Sequence, residues 1–189
     1  MTIIALVRHG ETDWNREGRL QGHSDIPLND TGRAQAAAAA EALRGGDYAR
    51  LVSSPLSRAR ETAQIIGKAL GLDGPEEFDG LKERGYGVAE GLPVAEYWSR
   101  FPAGTDVPDA ESDDELLDRA LATIVAIAED AGEAPVIAVA HGGLIGRVLR
   151  HISGGTLPRE GERIGNGSQQ IIQVNGQELR VIGYTGSPR

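Results

Sequence analysis

Thr2-Ile3-Ile4-Ala5-Leu6-Val7-Arg8-His9-Gly10-Glu11-Thr12 is the stretch that decides the fold. Thr2 to Val7 are almost continuously apolar rather than alternating. That is the composition of a strand buried on both faces, and such strands belong to parallel sheets covered by helices. Arg8 ends the run. Residues 8 to 28, which include Gly10, Gly18, Gly22 and Pro27, show no periodicity and read as a long loop at the strand's carboxyl end. Loops of this length inside compact domains are usually functional.

Working outward, Asn29 to Thr31 offer N-caps for an alanine-rich helix reaching Leu43, with Gly45-Gly46 as its stop. Arg50 to Ser53 read as a short strand, Leu56 to Leu70 as a helix closed by Gly71, and Glu76 to Phe78 as another short strand. The irregular segment Gly80 to Gly91 leads to a short helix near Val94 to Arg100, and Pro102, Gly104 and Pro108 mark residues 101 to 111 as a surface loop. Ser112-Asp113-Asp114-Glu115 has the form of a capping box. In the helix behind it, Leu116, Leu117, Ala120, Leu121, Ile124 and Ile127 share one face. Pro135 to Ala140 form a second buried strand, His141-Gly142-Gly143 a turn and Leu144 to Ile152 a helix. Gln170 to Val174 and Leu179 to Tyr184 read as a hairpin turning at Asn175-Gly176. The alternation predicts one α/β domain over residues 1–189, three-layered, with a mostly parallel sheet flanked by helices. Ligands of such sheets bind beyond the strand carboxyl ends.

Composition narrows the function. The 189 residues contain no cysteine, so disulfides, thiolate nucleophiles and cysteine-held zinc are excluded, and a reducing cytoplasm is the expected setting. The apolar run before Arg8 is too short for a signal peptide or a membrane span. A net charge of -9 argues against nucleic acid and anionic membrane as partners, and the 4% aromatic content argues against base stacking. An acidic chain that binds phosphate must gather positive charge locally, which makes individual arginines informative.

Three strand ends deliver such groups to one rim: Arg8-His9, Ser54 to Arg58, and His141. Two guanidiniums and two imidazoles suit a phosphoryl dianion. Arginine forks bind its oxygens and keep their charge, and a neutral imidazole can attack phosphorus.

Arg8-His9-Gly10-Glu11-Thr12 after an apolar strand resembles the signature of the histidine phosphatase superfamily, also called phosphoglycerate mutase-like. The likeness continues in order through Asp13-Trp14-Asn15, Gln21-Gly22, Asp25 to Leu28, Thr31-Gly32, Ser54 to Ala59, Thr62-Ala63, Leu81-Lys82-Glu83, Gly87, Glu90-Gly91 and His141 to Gly143. The resemblance implies His9 as nucleophile, with Arg8, Arg58 and His141 holding the phosphoryl group. It implies Asn15 as a further amide in the pocket, Gln21 and Gly22 at the mouth, and Glu83 as the acid that protonates the leaving oxygen and later deprotonates water. No metal and no cofactor are implied. Spacing alone does not separate Glu83 from Glu90.

Other polar residues read more plainly. His23 is a loop residue that touches substrate at most, His151 sits near a helix end, Arg60 faces solvent or Glu61, and Trp14 packs. Glu11 and Asp13 have no assigned role.

Within the family, mutases share Glu83-Arg84 and Tyr86-Gly87. They also carry a lysine after the glycine matching Gly91 and an arginine pair in a longer insert, both holding a substrate carboxylate. Here Leu92-Pro93-Val94 follows and no adjacent arginine pair occurs. Gln21 matches the phosphatase branch. The expected activity is therefore a phosphomonoesterase of the histidine acid phosphatase type acting on a small, singly phosphorylated metabolite. The alternatives are a cofactor-dependent phosphoglycerate mutase and a non-catalytic phospho-ligand module. Residues 84 to 111 are expected to cap the pocket, where Asp106, Asp109, Glu111, Asp113 and Asp114 would repel highly charged substrates if turned inward. The edge of the terminal hairpin permits a homodimer.

Overall fold

The computed structural model describes residues 1–188; Arg189 lies outside them. Six strands form one sheet. In spatial order they are β3 (Glu76–Glu77), β2 (Arg50–Ser53), β4 (Val136–Ala140), β1 (Thr2–Arg8), β6 (Gln169–Asn175) and β7 (Glu178–Gly183). The first four are mutually parallel, and the hairpin β6–β7 adds on antiparallel to β1. A two-stranded ribbon not foreseen from the sequence, β5 (Glu162–Arg163) with β8 (Ser187–Pro188), stands apart from the sheet.

The unbroken apolar runs of β1 and β4 serve two cores. Ile4, Leu6, Val136 and Ala138 pack on one face against the helices α5 (Asp113–Ala131) and α6 (Gly142–Ile152). Ala5, Val7, Ile137 and Val139 pack on the other face with Ala39, Ala40, Ala59 and Ala63 of α2 (Asp30–Leu43) and α3 (Ser57–Leu70). The alanines of α2 thus do more than favour a helix. They let it lie close to α3 and the sheet.

Several boundaries differ from the sequence reading. The long loop after β1 contains a single helical turn, α1 (Asp13–Arg16). Its N-cap Thr12 forms a capping box with Asn15, where the more familiar third-position partner is Glu or Gln. Helix α6 begins at Gly142 rather than Leu144, taking the Gly-Gly pair into its first turn. In the hairpin Asn175 still pairs with Glu178, so the two turn residues are Gly176 and Gln177. Only Gly176 has positive φ, at 58°, as a turn with glycine in its first central position requires. The short helix α4 (Val94–Arg100) and the loop after it lie where the sequence places them. No helix among the described residues is long and apolar enough to cross a membrane.

Candidate active site

Strand register explains how distant stretches meet. Arg8 pairs with Ala140 across β1 and β4, and Val139 pairs with Ser53 across β4 and β2. The next residue on each strand, His9, His141 and Ser54, therefore leaves the sheet at neighbouring levels of one edge. His9 N donates to Ala140 O at 3.0 Å, and Ser54 N donates to Val139 O at 2.9 Å. Beyond these ends lies a cavity of about 340 Å³ whose wall includes Arg8, His9, Asn15, Gln21, Arg58 and Glu83. Gly22, Gly142 and Gly143 add backbone to it.

His9 is only 2% exposed, and its Nδ1 lies 2.6 Å from the carbonyl oxygen of Gly10. A carbonyl only accepts, so Nδ1 carries the proton and Nε2 keeps its lone pair. Nε2 has no hydrogen-bond partner among the described residues. Burial, with Arg58 and then Arg8 adding repulsion, holds the imidazole well below its usual pKa, so it is neutral at neutral pH. The approach of the Gly10 backbone is close: a Cβ there would stand 2.2 Å from the Gly32 carbonyl oxygen. The Gly in each of the two motifs is thus explained by their contact.

His141 does not line the cavity wall. It is fully buried behind His9, with ring centroids 5.1 Å apart. Its Nε2 is 2.8 Å from Ser54 Oγ, and its Nδ1 is buried without a partner among the described residues. Burial first, then Arg58, His9 and Arg8, keep it neutral.

Arg58, also fully buried, donates from Nη1 to Ser24 O and from Nη2 to Gly22 O, each at 2.8 Å. Arg8 Nη1 donates to Ile164 O at 2.6 Å. Burial pushes the Arg8 pKa down to about 10, opposed by Glu83 and reinforced by Arg163 and Arg58, so the group stays charged. Arg58 is lowered by burial too, against the pull of Glu83, Asp25 and Glu90. Arg8 Nε, Arg58 Nε and His141 Nδ1 are three of the four buried side-chain polar atoms that lack a partner among the described residues. Buried donors left unpaired cost free energy; Arg8 and Arg58 line the cavity and His141 lies against His9, a grouping that suits an oxygen-rich ligand.

The capping box fixes Asn15. Its Oδ1 accepts from Thr12 N at 3.2 Å and from Asn166 Nδ2 at 3.2 Å. Gln21 Oε1 accepts from Thr12 Oγ1 at 2.8 Å. With both carbonyl oxygens engaged, both side-chain NH₂ groups remain to donate. The carbonyl of Gly22 accepts from Arg58 Nη2, and Gly22 also lines the cavity.

Structure separates the two carboxylates that spacing left alike. Glu83 lines the cavity, 9% exposed, at the N-terminus of α6. Its Oε1 accepts from Arg84 N and Leu144 N, each at 2.9 Å, and Oε2 from Gly143 N at 2.8 Å. Oε2, with one donor, retains a lone pair for a proton. Glu90 lies outside the wall and accepts from His23 N, Ser24 N and Ser24 Oγ, fastening the loop whose carbonyls hold Arg58. Burial raises the Glu90 pKa, and these hydrogen bonds more than offset it, leaving a net lowering.

Two contributors, Arg119 and Arg163, were not singled out from sequence, and Tyr86 was noted only within a motif shared with mutases. Arg119 of α5 donates to the carbonyls of Gly80, Lys82 and Glu83 at 3.0, 2.8 and 2.8 Å while paired with Glu111. Tyr86 and Arg163 line the cavity. Arg119 and Arg163 arrive from far along the chain, and no local pattern marks either.

Other expectations are corrected. Asp106, Asp109, Glu111, Asp113 and Asp114 do not line the cavity. Glu111 is taken by Arg119, Asp113 by Arg84 and Asp114 by Arg147, so inward repulsion does not arise from them. From residues 84 to 111 the wall receives only Tyr86 and Val94. Arg60 pairs with Glu77 at 3.6 Å rather than Glu61, which Arg33 holds. His23 turns its Nε2 to the Glu83 carbonyl at 2.8 Å. Glu11 lines the cavity and accepts from Asn29 Nδ2 at 3.0 Å, and Trp14 packs on Gly91 as read.

Comparison with known proteins agrees with this geometry. A protein of Bacillus subtilis (strain 168) named "Uncharacterized phosphatase PhoE" is 39% identical over 184 residues, spanning 97% of this chain and 94% of its own. "Probable phosphoglycerate mutase GpmB" of Citrobacter koseri is 40% identical over 175 residues, covering 86% of this chain and 79% of its own. The solved structure of mycobacterial glucosyl-3-phosphoglycerate phosphatase complexed with VO3 superposes with a TM-score of 0.84 at 30% identity, covering 98% of this chain and 99% of that one. The family model for the histidine phosphatase superfamily (branch 1) matches residues 4–185, and the chain belongs to that superfamily.

Proposed function

We propose that the chain hydrolyses a small, singly phosphorylated metabolite through a phosphohistidine at His9, without a metal ion, in the cytoplasm. The observation that carries the reading is the 2.6 Å contact from His9 Nδ1 to Gly10 O. It points the free lone pair of Nε2 at a cavity bordered by two charged guanidiniums and a carboxyl group.

In the first half-reaction His9 Nε2 attacks phosphorus and the bond from phosphorus to the ester oxygen breaks. The leaving oxygen takes a proton from Glu83, and phosphohistidine remains. Arg8, Arg58 and the Asn15 amide hold the equatorial oxygens, and positioned charge lowers the barrier as a divalent cation does elsewhere. Ser54 donating its hydroxyl proton to His141 Nε2 leaves Nδ1–H, beside His9, to donate to the phosphoryl group once it is bonded to His9. In the second half-reaction water gives a proton to the Glu83 carboxylate and attacks phosphorus. The N–P bond breaks, His9 is restored and inorganic phosphate leaves.

Relatives named as phosphatases support hydrolysis, and so does the position of Arg84, bound to Asp113 at 2.9 Å outside the cavity wall. The named mutase relative keeps isomerisation as the second reading. The test is release of p-nitrophenol from p-nitrophenyl phosphate in EDTA. Turnover that survives chelation and disappears in His9→Ala supports the proposal. Absence of turnover over a broad panel of phosphate esters favours a binding module, and isomerisation of phosphoglycerate with a bisphosphoglycerate primer favours the mutase.

A further inference from the structure

The cavity wall carries two cations for which the phosphoryl chemistry has no use, and one of them is unpaired among the described residues. Four arginines line the cavity: Arg8, Arg19, Arg58 and Arg163. Arg8 and Arg58 are tied to carbonyls of Ile164, Ser24 and Gly22. Arg19 is held by Glu17 at 2.8 Å and by Gly91 O at 3.1 Å. Arg163 alone of the four has no hydrogen-bond or ion-pair partner among the described residues. Its neighbour Glu162 is engaged with Arg159 and with the Tyr184 hydroxyl.

The placement of Arg163 is not loose. It sits in the β5–β8 ribbon, opposite Ser187. The carbonyl of the next residue, Ile164, accepts from Arg8, and Asn166 Nδ2 donates to His9 O at 3.0 Å. The backbone bearing Arg163 is thus fastened to the backbone and side chain of the nucleophile's own segment. The charge is near enough to disfavour the charged form of Arg8. The exposed Arg163 thus presents an unpaired charge near that of Arg8, which an incoming anion would neutralise.

We propose that Arg163 is a specificity-determining residue that binds a carboxylate on the alcohol portion of the phosphoester. The planar guanidinium fork matches two carboxylate oxygens. A carboxylate is favoured over a second phosphate because the same wall carries Glu11 and Glu83, whose repulsion grows with each further negative charge, and because about 340 Å³ suits a small molecule. The carboxylate grip is therefore supplied from the ribbon near the carboxyl terminus, a part of the chain remote from the segment after Gly91 where the sequence lacks it. The inference rests on the phosphomonoesterase reading.

3-Phosphoglycerate and glycerol 3-phosphate differ by a carboxylate in place of a hydroxymethyl group and serve as probes. The wild type is expected to favour the carboxylate ester in kcat/KM by about ten- to hundredfold, the scale of one hydrogen-bonded charge pair. The ratio falls towards one in Arg163→Ala, chiefly through KM, and is partly kept in Arg163→Lys. Arg150→Ala, an exposed and unpaired arginine on α6 outside the cavity wall, keeps the wild-type ratio. Calorimetric binding of both esters to His9→Ala, with and without Arg163→Ala, reads the same preference with no turnover. An equal ratio in wild type, or one that Arg163→Ala leaves intact in both assays, overturns the inference. Carboxylate-selective binding without hydrolysis of either ester by the wild type would instead overturn the phosphomonoesterase reading alone.

Discussion

Arg119 Nη2 donates to the main-chain carbonyl of Glu83 at 2.8 Å, and the same guanidinium also holds the carbonyls of Gly80 and Lys82. Glu83 is thus located from two sides. Arg119 fixes its backbone, and the amides of Gly143 and Leu144 fix its carboxylate. Arg119→Met should displace the proposed acid without touching substrate, lowering kcat by roughly 10²-fold for alkyl phosphates, the usual cost of about an ångström of misplacement. The loss should be much smaller for p-nitrophenyl phosphate, whose leaving group needs little protonation. A purely structural role would lower both rates equally, so the comparison of leaving groups decides.

Ser54→Ala removes the hydrogen bond to His141 Nε2. The expected cost in stability is about 1 kcal/mol. The larger effect is on the tautomer: nitrogen-15 chemical shifts should place the His141 proton on Nδ1 in the wild type and distribute it over both nitrogens in the variant, with kcat reduced.

His9 and His141 are both held by burial well below the ordinary value of 6.5. Between those low folded values and 6.5, the unfolded chain binds more protons than the folded one. Stability from this source is therefore complete above pH 6.5 and is lost as pH falls towards the folded values. Thermal unfolding of the wild type should show Tm declining below pH 6.5, and the decline should be shallower in His141→Asn. An equal slope in both proteins would remove His141 from the explanation.

Gly10→Ala places a methyl group 2.2 Å from a backbone oxygen that has no rotamer with which to yield. A loss of about 1–3 kcal/mol is expected, as for other overpacked positions. It should appear as a lower denaturant midpoint and, because Gly10 O orients His9, as a loss of activity larger than the unfolded fraction explains.

Much of this arrangement can be read from the chain itself. The continuous apolar runs of Thr2–Arg8 and Val136–Ala140 mark doubly buried strands, and the residues following them are displayed at the strand ends. Arg8, His9, Glu83, Arg58 and His141 could be named because each sits in an ordered motif. Arg163 and Arg119 could not, because their significance arises from contacts made across the chain, Arg119 with the segment 80–83 and Arg163 with a cavity opened by β1. The β5–β8 ribbon escaped for a related reason: two strands of two residues each carry no periodicity. The acidic residues after Asp106 misled through composition, since two of the arginines that pair with them lie far along the chain, Arg84 29 positions from Asp113 and Arg147 33 from Asp114, while Arg119 pairs with Glu111 from 8 positions away.

Covalent phosphoryl transfer to His9, as proposed, leaves an intermediate that can be trapped. Rapid alkaline quenching during turnover, followed by peptide mass spectrometry, should find an acid-labile, base-stable phosphoryl group on the peptide that contains His9. Its formation should match the rate of alcohol release, and it should be absent in His9→Ala, which hydrolyses nothing. Hydrolysis that persists in His9→Ala, or wild-type turnover with the phosphoryl group on another residue or on none, would contradict the account.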